Sequence, residues 1–186
     1  MTEHSLAGQL LVAMPNLGDP NFNHTVTFIC EHSPEGALGI TINRPLGMEL
    51  GTVFEQLQIN AEEPELVNQP VLCGGPVQTG RGFVLHEAAL DWEGTTQVAP
   101  AIFVTTSQDI LADMAVGKGP KRVLMALGYA GWGAGQLDEE IRENAWLTVP
   151  ASAELVFDTP LEKRWRAAAE SIGINLSTLS LGAGHA

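Results

Sequence analysis

Gly128 to Gln136 reads Gly-Tyr-Ala-Gly-Trp-Gly-Ala-Gly-Gln and holds the chain's only tyrosine and one of its four tryptophans. An apolar stretch, Arg122 to Leu127, leads into it, and a helix-like stretch, Gln136 to Ala145, leads out. That order predicts a sharp turn between a strand and a helix. Glycine lacks a Cβ, tolerates positive φ and lets another group come close to the main chain. The run therefore reads as a pocket floor or as a packing turn. Upstream, Ala101 to Thr105 forms a strand, and Thr106 or Ser107 caps a helix over Gln108 to Val116 that Gly117 and Pro120 stop. With the glycine run this makes one β-α-β-α stretch, the part of the chain where strands can run parallel.

The N-terminal half reads as short strands. Gln9 to Met14 is apolar and ends at Pro15, and a loop rich in Asn, Gly, Asp and Pro follows from Asn16 to Asn23. On the strand Thr25 to Glu31 and the adjoining His32, alternation places Val26, Phe28, Cys30 and His32 on one face. Ser33-Pro34-Glu35-Gly36 fits a type I turn, so Ala37 to Ile42 returns as a hairpin partner, and Asn43-Arg44-Pro45 ends it. Leu50, Val53, Phe54 and Leu57 line one face of a helix over Glu49 to Leu57, before an acidic connection from Ala61 to Gln69. Val71 to Cys73 and Arg81 to His86 are strands, and Asp91 to Gln97 is a polar turn. Trp146 to Val149 and Leu155 to Phe157 close the strand set. Thr159-Pro160-Leu161-Glu162 reads as a capping box opening a last helix, with Leu161, Trp165, Ala168 and Ile172 facing the core, Gly173 at its end and a polar tail to Ala186 beyond.

The 186 residues fit one domain, 1–186, better than two small ones. Hydrophobic residues make up 45% and charged ones 17%, a globular composition. The first residues carry Glu3 and no base, unlike a signal peptide, and no apolar run approaches the roughly 20 residues of a membrane helix. The expected location is the cytoplasm. Net charge is −13 with nine bases, which opposes a nucleic-acid backbone, since binding it takes several Lys and Arg at phosphates. Three of the bases lie between Lys118 and Arg122 and three between Lys163 and Arg166, so a small local patch stays open.

Cys30 and Cys73 are the only cysteines, and no CxxC, CxxH or HExxH occurs, so no metal site and no cofactor is expected. The glycine run gives GxGxG rather than GxGxxG, and Asp138, Glu139 and Glu140 fill the following helix's first turn, where they repel a phosphate. Cys30 and His32 offer a thiol and an imidazole on one strand face, about 6 to 7 Å apart at their bases, too far for a direct pair unless the strand is bulged. Cys30 is the redox-sensitive candidate, against a buried structural thiol. Arg44 and Arg81 sit beside turn residues, as anion clamps or as structural ties to carbonyls.

Met14-Pro15, Asp19-Pro20 and Phe22, then Cys30-Glu31-His32, Gly36, Gly39 and Asn43-Arg44-Pro45 resemble the YqgE/AlgH family of bacterial proteins. Gly74-Gly75-Pro76-Val77, Gly82 to His86, Thr105 to Asp109, Gly128 to Leu137 and Asn144 to Leu147 continue the pattern in order. The resemblance implies an α+β fold: a single compact domain with a mixed, mainly antiparallel or barrel-like sheet and packed helices. It brings no catalytic residues, and it links the family to transcriptional control of alginate production.

These observations lead to a cytosolic regulatory or adaptor protein acting through a small ligand or a protein partner. Its expected surface is built from Arg44, Gly74, Gly75, Arg81, His86, Gly131, Trp132, Gly133 and Gln136. One alternative is a hydrolase or thiol-dependent enzyme using Cys30, His32 or His86. The other is a transcriptional regulator that binds DNA directly.

Overall fold

The computed structural model describes residues 5–15, 23–87 and 92–178. The loop expected over Asn16 to Asn23 falls almost wholly outside them, as do the end of the tail and Asp91 of the polar turn. Among the described residues ten strands join in one sheet: β1 Gln9–Ala13, β2 Val26–Ser33, β3 Gly36–Thr41, β4 Pro45–Glu49, β5 Pro70–Cys73, β6 Val77–His86, β7 Thr95–Ala99, β8 Ile102–Thr105, β9 Val123–Trp132 and β10 Trp146–Pro150. The order is β10-β1-β2-β3-β9-β6-β8-β7, with β5 pairing β9 and β4 pairing β5. All these pairings are antiparallel except that of β5 with β9. The sheet curls into a half-barrel. Its two ends draw together where Gly8, just before β1, meets β7: a Cβ there would lie 2.9 Å from the Val98 carbonyl oxygen.

The largest departure from the sequence reading is at the glycine run. β9 does not stop at Leu127; it runs on through Gly128, Tyr129, Ala130 and Gly131 to Trp132. It is held on both edges, by β6 on one and by β5 and then β3 on the other. Gly128 absorbs the local twist at φ +83°, and the chain turns only at Gly133 to Gly135 before helix α4, Gln136–Arg142. The expected β-α-β succession is present, but β8 and β9 are not neighbours, because β6 lies antiparallel between them.

Helices cover the convex face. Over one half lie α1, Leu50–Gln56, and α3, Asp109–Ala115, which bury Leu50, Val53, Phe54, Ile110, Leu111 and Met114 against Val71, Val84 and Met125. Over the other half α4 buries Leu137 among Leu11, Ile29, Trp132 and Trp146. Neither Thr106 nor Ser107 caps α3; its N-cap is Gln108, and the Ser107 hydroxyl bonds Asp109 and the Glu93 carbonyl. The acidic connection contains a single helical turn, α2, Pro64–Val67.

The concave face holds the largest core: Leu10, Val12, Phe28, Ile40, Leu72, Phe83 and Leu85 meet the C-terminal segment through Leu155, Val156, Ala168 and Ala169. That segment corrects two expectations. Leu155 to Phe157 is not a strand but part of a π-helical turn, Glu154–Asp158, because Trp146–Pro150 already completes that edge of the sheet. Thr159 opens no capping box; its hydroxyl donates back to the Glu154 carbonyl, a 3-10 turn follows at Leu161–Lys163, and α5 spans Arg164–Glu170. Ala168 faces the core, Leu161 and Trp165 pack at its rim, and Ile172 is exposed. Arg164 is buried in their place, donating to the carbonyls of Ile42 and Thr159, and burial brings its guanidinium down to about 10, partly offset by Glu162.

A cleft in the open side of the half-barrel

Strand alternation sends Arg81 and Phe83 of β6 to the concave face and Gly80, Gly82 and Val84 to the helix face. On the concave side the curled sheet leaves a cleft of about 290 Å³ between β2–β3 and the β6-β8-β7 wall. Cys30, Glu31 and Leu38 line one side; Arg81, Phe83, Thr96, Val98, Val104 and Thr106 line the other. The Arg81 guanidinium stands 5.0 Å from the Phe83 ring and 5.9 Å from the Tyr129 ring. A wider surface groove adjoins the cleft, sharing Glu31 and Leu38 and continuing past His32, Tyr129, Gly131 and Trp132.

The structure thus brings Cys30, Arg81, Gly131 and Trp132 to one connected surface. It does not bring Arg44, Gly74, Gly75, His86, Gly133 or Gln136 there. Arg44 bonds the Asn23 carbonyl at 2.8 Å. Gly74 and Gly75 are a packing device: their added Cβ atoms would stand 2.3 Å from the Gly128 oxygen and 2.1 Å from the Tyr129 carbonyl carbon. His86 is fully buried, with Nε2 2.7 Å from the Thr105 hydroxyl and its ring stacked on Phe103. Gln136 is spent inside its own loop, accepting from the Gly133 N–H and donating to Glu140.

The Cys30 and His32 pair is also corrected. Ile29 pairs Gly39 while Glu31 pairs Leu38, so Cys30 is the extra residue of a β-bulge and the alternation resets there. Cys30 packs against the concave core, whereas His32 turns to the α4 side. There His32 Nδ1 accepts from the Leu6 N–H at 2.8 Å, which leaves the ring proton on Nε2, 3.3 Å from Asp138 Oδ1. Burial, with the Glu31 charge second, pushes the Cys30 thiol up to about 12. A thiol so disfavoured as thiolate is a poor nucleophile. His24 stacks on Trp165, His32 meets Asp138 and His86 meets Thr105, and no metal-binding cluster occurs among the described residues.

Leu38, Phe83, Tyr129, Thr96 and Thr106 join this surface without a motif to mark them in the sequence. One signal was available: Arg81 and Phe83 at i and i+2 of a strand share a face, which sets the cation over an aromatic ring.

The curled sheet, its helix-covered convex face and its open concave cleft define a compact α+β half-barrel domain. The chain belongs to the AlgH-like family, whose model matches residues 10–177. It is 53% identical over 182 residues to a UPF0301 protein of Thioalkalivibrio sulfidiphilus, covering 98% of this chain and 97% of that one. A UPF0301 protein of Alcanivorax borkumensis is 49% identical over 185 residues, covering 100% and 98%. Among solved structures, the AlgH protein from Pseudomonas aeruginosa matches at 46% identity and TM-score 0.79 over 97% of this chain and 95% of that one. Protein DIP2367 from Corynebacterium diphtheriae shares the fold, with TM-score 0.76 at 21% identity over 93% and 90%. No helix among the described residues is long and apolar enough to cross a membrane.

Proposed function

We propose that this chain is a cytoplasmic binding protein of regulatory or adaptor type that captures the carboxylate of a small ligand or partner in the concave cleft. One observation carries the reading. In a chain with 22 acidic residues and nine basic ones, Arg81 has no hydrogen bond or ion pair among the described residues, and its guanidinium is stacked on aromatic rings beside the cleft. An arginine held by ring stacking keeps its forked donors free for a planar oxyanion. Leu38, Phe83, Val98 and Val104 suit an apolar body behind that oxyanion. Glu31 on the facing wall adds a negative charge, which favours a monoanionic carboxylate over a phosphate.

The alternatives have less support. Thiol chemistry meets an unionised Cys30 with His32 on the other face of the strand. DNA binding would draw on two short basic runs, but Arg122 is paired with Glu87 and Asp158, Arg164 is buried, and Arg166 bonds Ser177. Saturation-transfer NMR with hexanoate tests the proposal. Wild type and Arg44→Met bind, and Arg81→Met loses the signal at an unchanged melting temperature; equal binding by Arg81→Met, or no binding by wild type, refutes it.

A further inference from the structure

Building on that reading of the cleft, we infer that its occupant is an extended acidic peptide segment of a partner protein, added as a strand to the free edge of β7. Among the described residues β7 pairs only with β8, which leaves its other edge open. The register shows which groups are free there. Thr95 opposes Thr105, Thr96 opposes Val104 and Gln97 opposes Phe103, while the Thr106 N–H bonds the Gly94 carbonyl. Antiparallel partners alternate between bonded and non-bonded pairs. Gly94 and Thr96 therefore spend their main-chain groups on β8, and Thr95 and Gln97 point N–H and C=O outward.

Those outward groups border the cleft, since Gly94, Thr96 and Val98 form its wall, while beyond Val98 the edge is closed by Gly8. A strand laid along Thr95 to Gln97 satisfies these donors and acceptors, and its side chains on the Thr96 face enter the cleft. Charge selects among such strands. Arg81 is the one cation in the cleft lining and is unpaired among the described residues, so a glutamate or aspartate on the inserted face meets it while apolar neighbours at i±2 meet Leu38, Phe83 and Val104. Main-chain bonding supplies affinity, and the acidic anchor supplies register and choice of partner.

The test uses a phage-displayed library of random decapeptides and, after selection on the full-length protein, the most enriched decapeptide made with a fluorescent label. Enriched sequences are expected to carry an acidic residue flanked by apolar ones at i±2. Gln97→Pro removes one outward N–H without touching the β8 ladder, a change that edge strands accept. It is expected to weaken the labelled peptide at least tenfold while leaving hexanoate binding and the melting temperature unchanged. Arg81→Met and an acid-to-amide change in the peptide are expected to weaken binding by similar factors, with no further loss when combined.

Peptide binding indifferent to Gln97→Pro, or a library without enrichment, overturns the inference while leaving the carboxylate cleft standing. Loss of hexanoate binding in wild type with peptide capture still sensitive to Gln97→Pro separates the two in the other direction. Concentration-dependent dimers in sedimentation that Gln97→Pro dissolves also overturn it, because the edge then belongs to a second copy of this chain.

Discussion

Trp132 and Trp146 donate their indole N–H groups to the same oxygen, Oε1 of Glu140, each at 2.9 Å, with their rings edge to face at 6.1 Å. The other oxygen accepts from Gln136, whose carbonyl in turn accepts from the Gly133 N–H. One carboxylate on α4 therefore ties the end of β9, the start of β10 and the turn between β9 and α4. Glu140→Ala removes the shared acceptor of two buried tryptophans' indole N–H groups, and hydrogen bonds to charged groups contribute about 1.5 to 3 kcal/mol each. Urea unfolding is expected to show a loss of about 3 kcal/mol, with Glu140→Gln falling in between and both variants retaining hexanoate.

Much of this unit was readable in advance, and part was not. β1, the β2–β3 hairpin and β10 follow directly from apolar runs and turn residues. The glycine run misled because Gly128 has the positive φ of a turn, yet strands on both edges keep it in the sheet, and pairing of that kind is a tertiary fact. Alternation alone puts Cys30 and His32 on one face, and the bulge that parts them inserts a residue without a sequence mark, whereas Arg81 over Phe83 follows from alternation itself. Arg44 and His86 looked functional as rare residue types, and their carbonyl, hydroxyl and ring partners are distant in sequence.

The interlocked glycines give a second prediction. A Cβ on Gly128, at φ +83°, would stand 2.5 Å from the Gly75 oxygen, whereas one on Gly80 meets nothing within 4 Å. Gly128→Ala is expected to cost about 3 kcal/mol or more, and Gly80→Ala to stay within about 0.5 kcal/mol. Chemical denaturation of the two variants side by side reads the difference.

Cys30 is expected to resist a chromogenic thiol reagent at pH 8 until the protein unfolds, since burial keeps it protonated. Its effect on stability has a definite sign. The folded thiol holds its proton up to about 12 while the unfolded thiol loses it from 9.0, so stability falls as pH rises through that window and is unaffected below it. The slope from this one group reaches about 1.4 kcal/mol per pH unit. Cys30→Ala flattens the alkaline limb of the stability profile; an unchanged limb assigns the loss to other groups.

Arg164 ties the start of α5 to Ile42, the residue after β3, with no carboxylate within ion-pair distance among the described residues. Removing it leaves the buried Ile42 carbonyl and the half-buried Thr159 carbonyl short of a donor. Arg164→Ala is therefore expected to lower stability by about 2 to 4 kcal/mol and to increase hydrogen exchange in α5 before the rest of the domain.

The cleft itself is tested most directly by amide shift mapping of the labelled protein titrated with hexanoate. Binding as proposed moves the resonances of Arg81, Phe83, Thr96 and Tyr129 along saturable curves, and Arg81→Met abolishes those shifts while the spectrum stays folded. Shifts confined to α1 and α3 on the opposite face of the sheet, or shifts at the cleft that persist in Arg81→Met, contradict it.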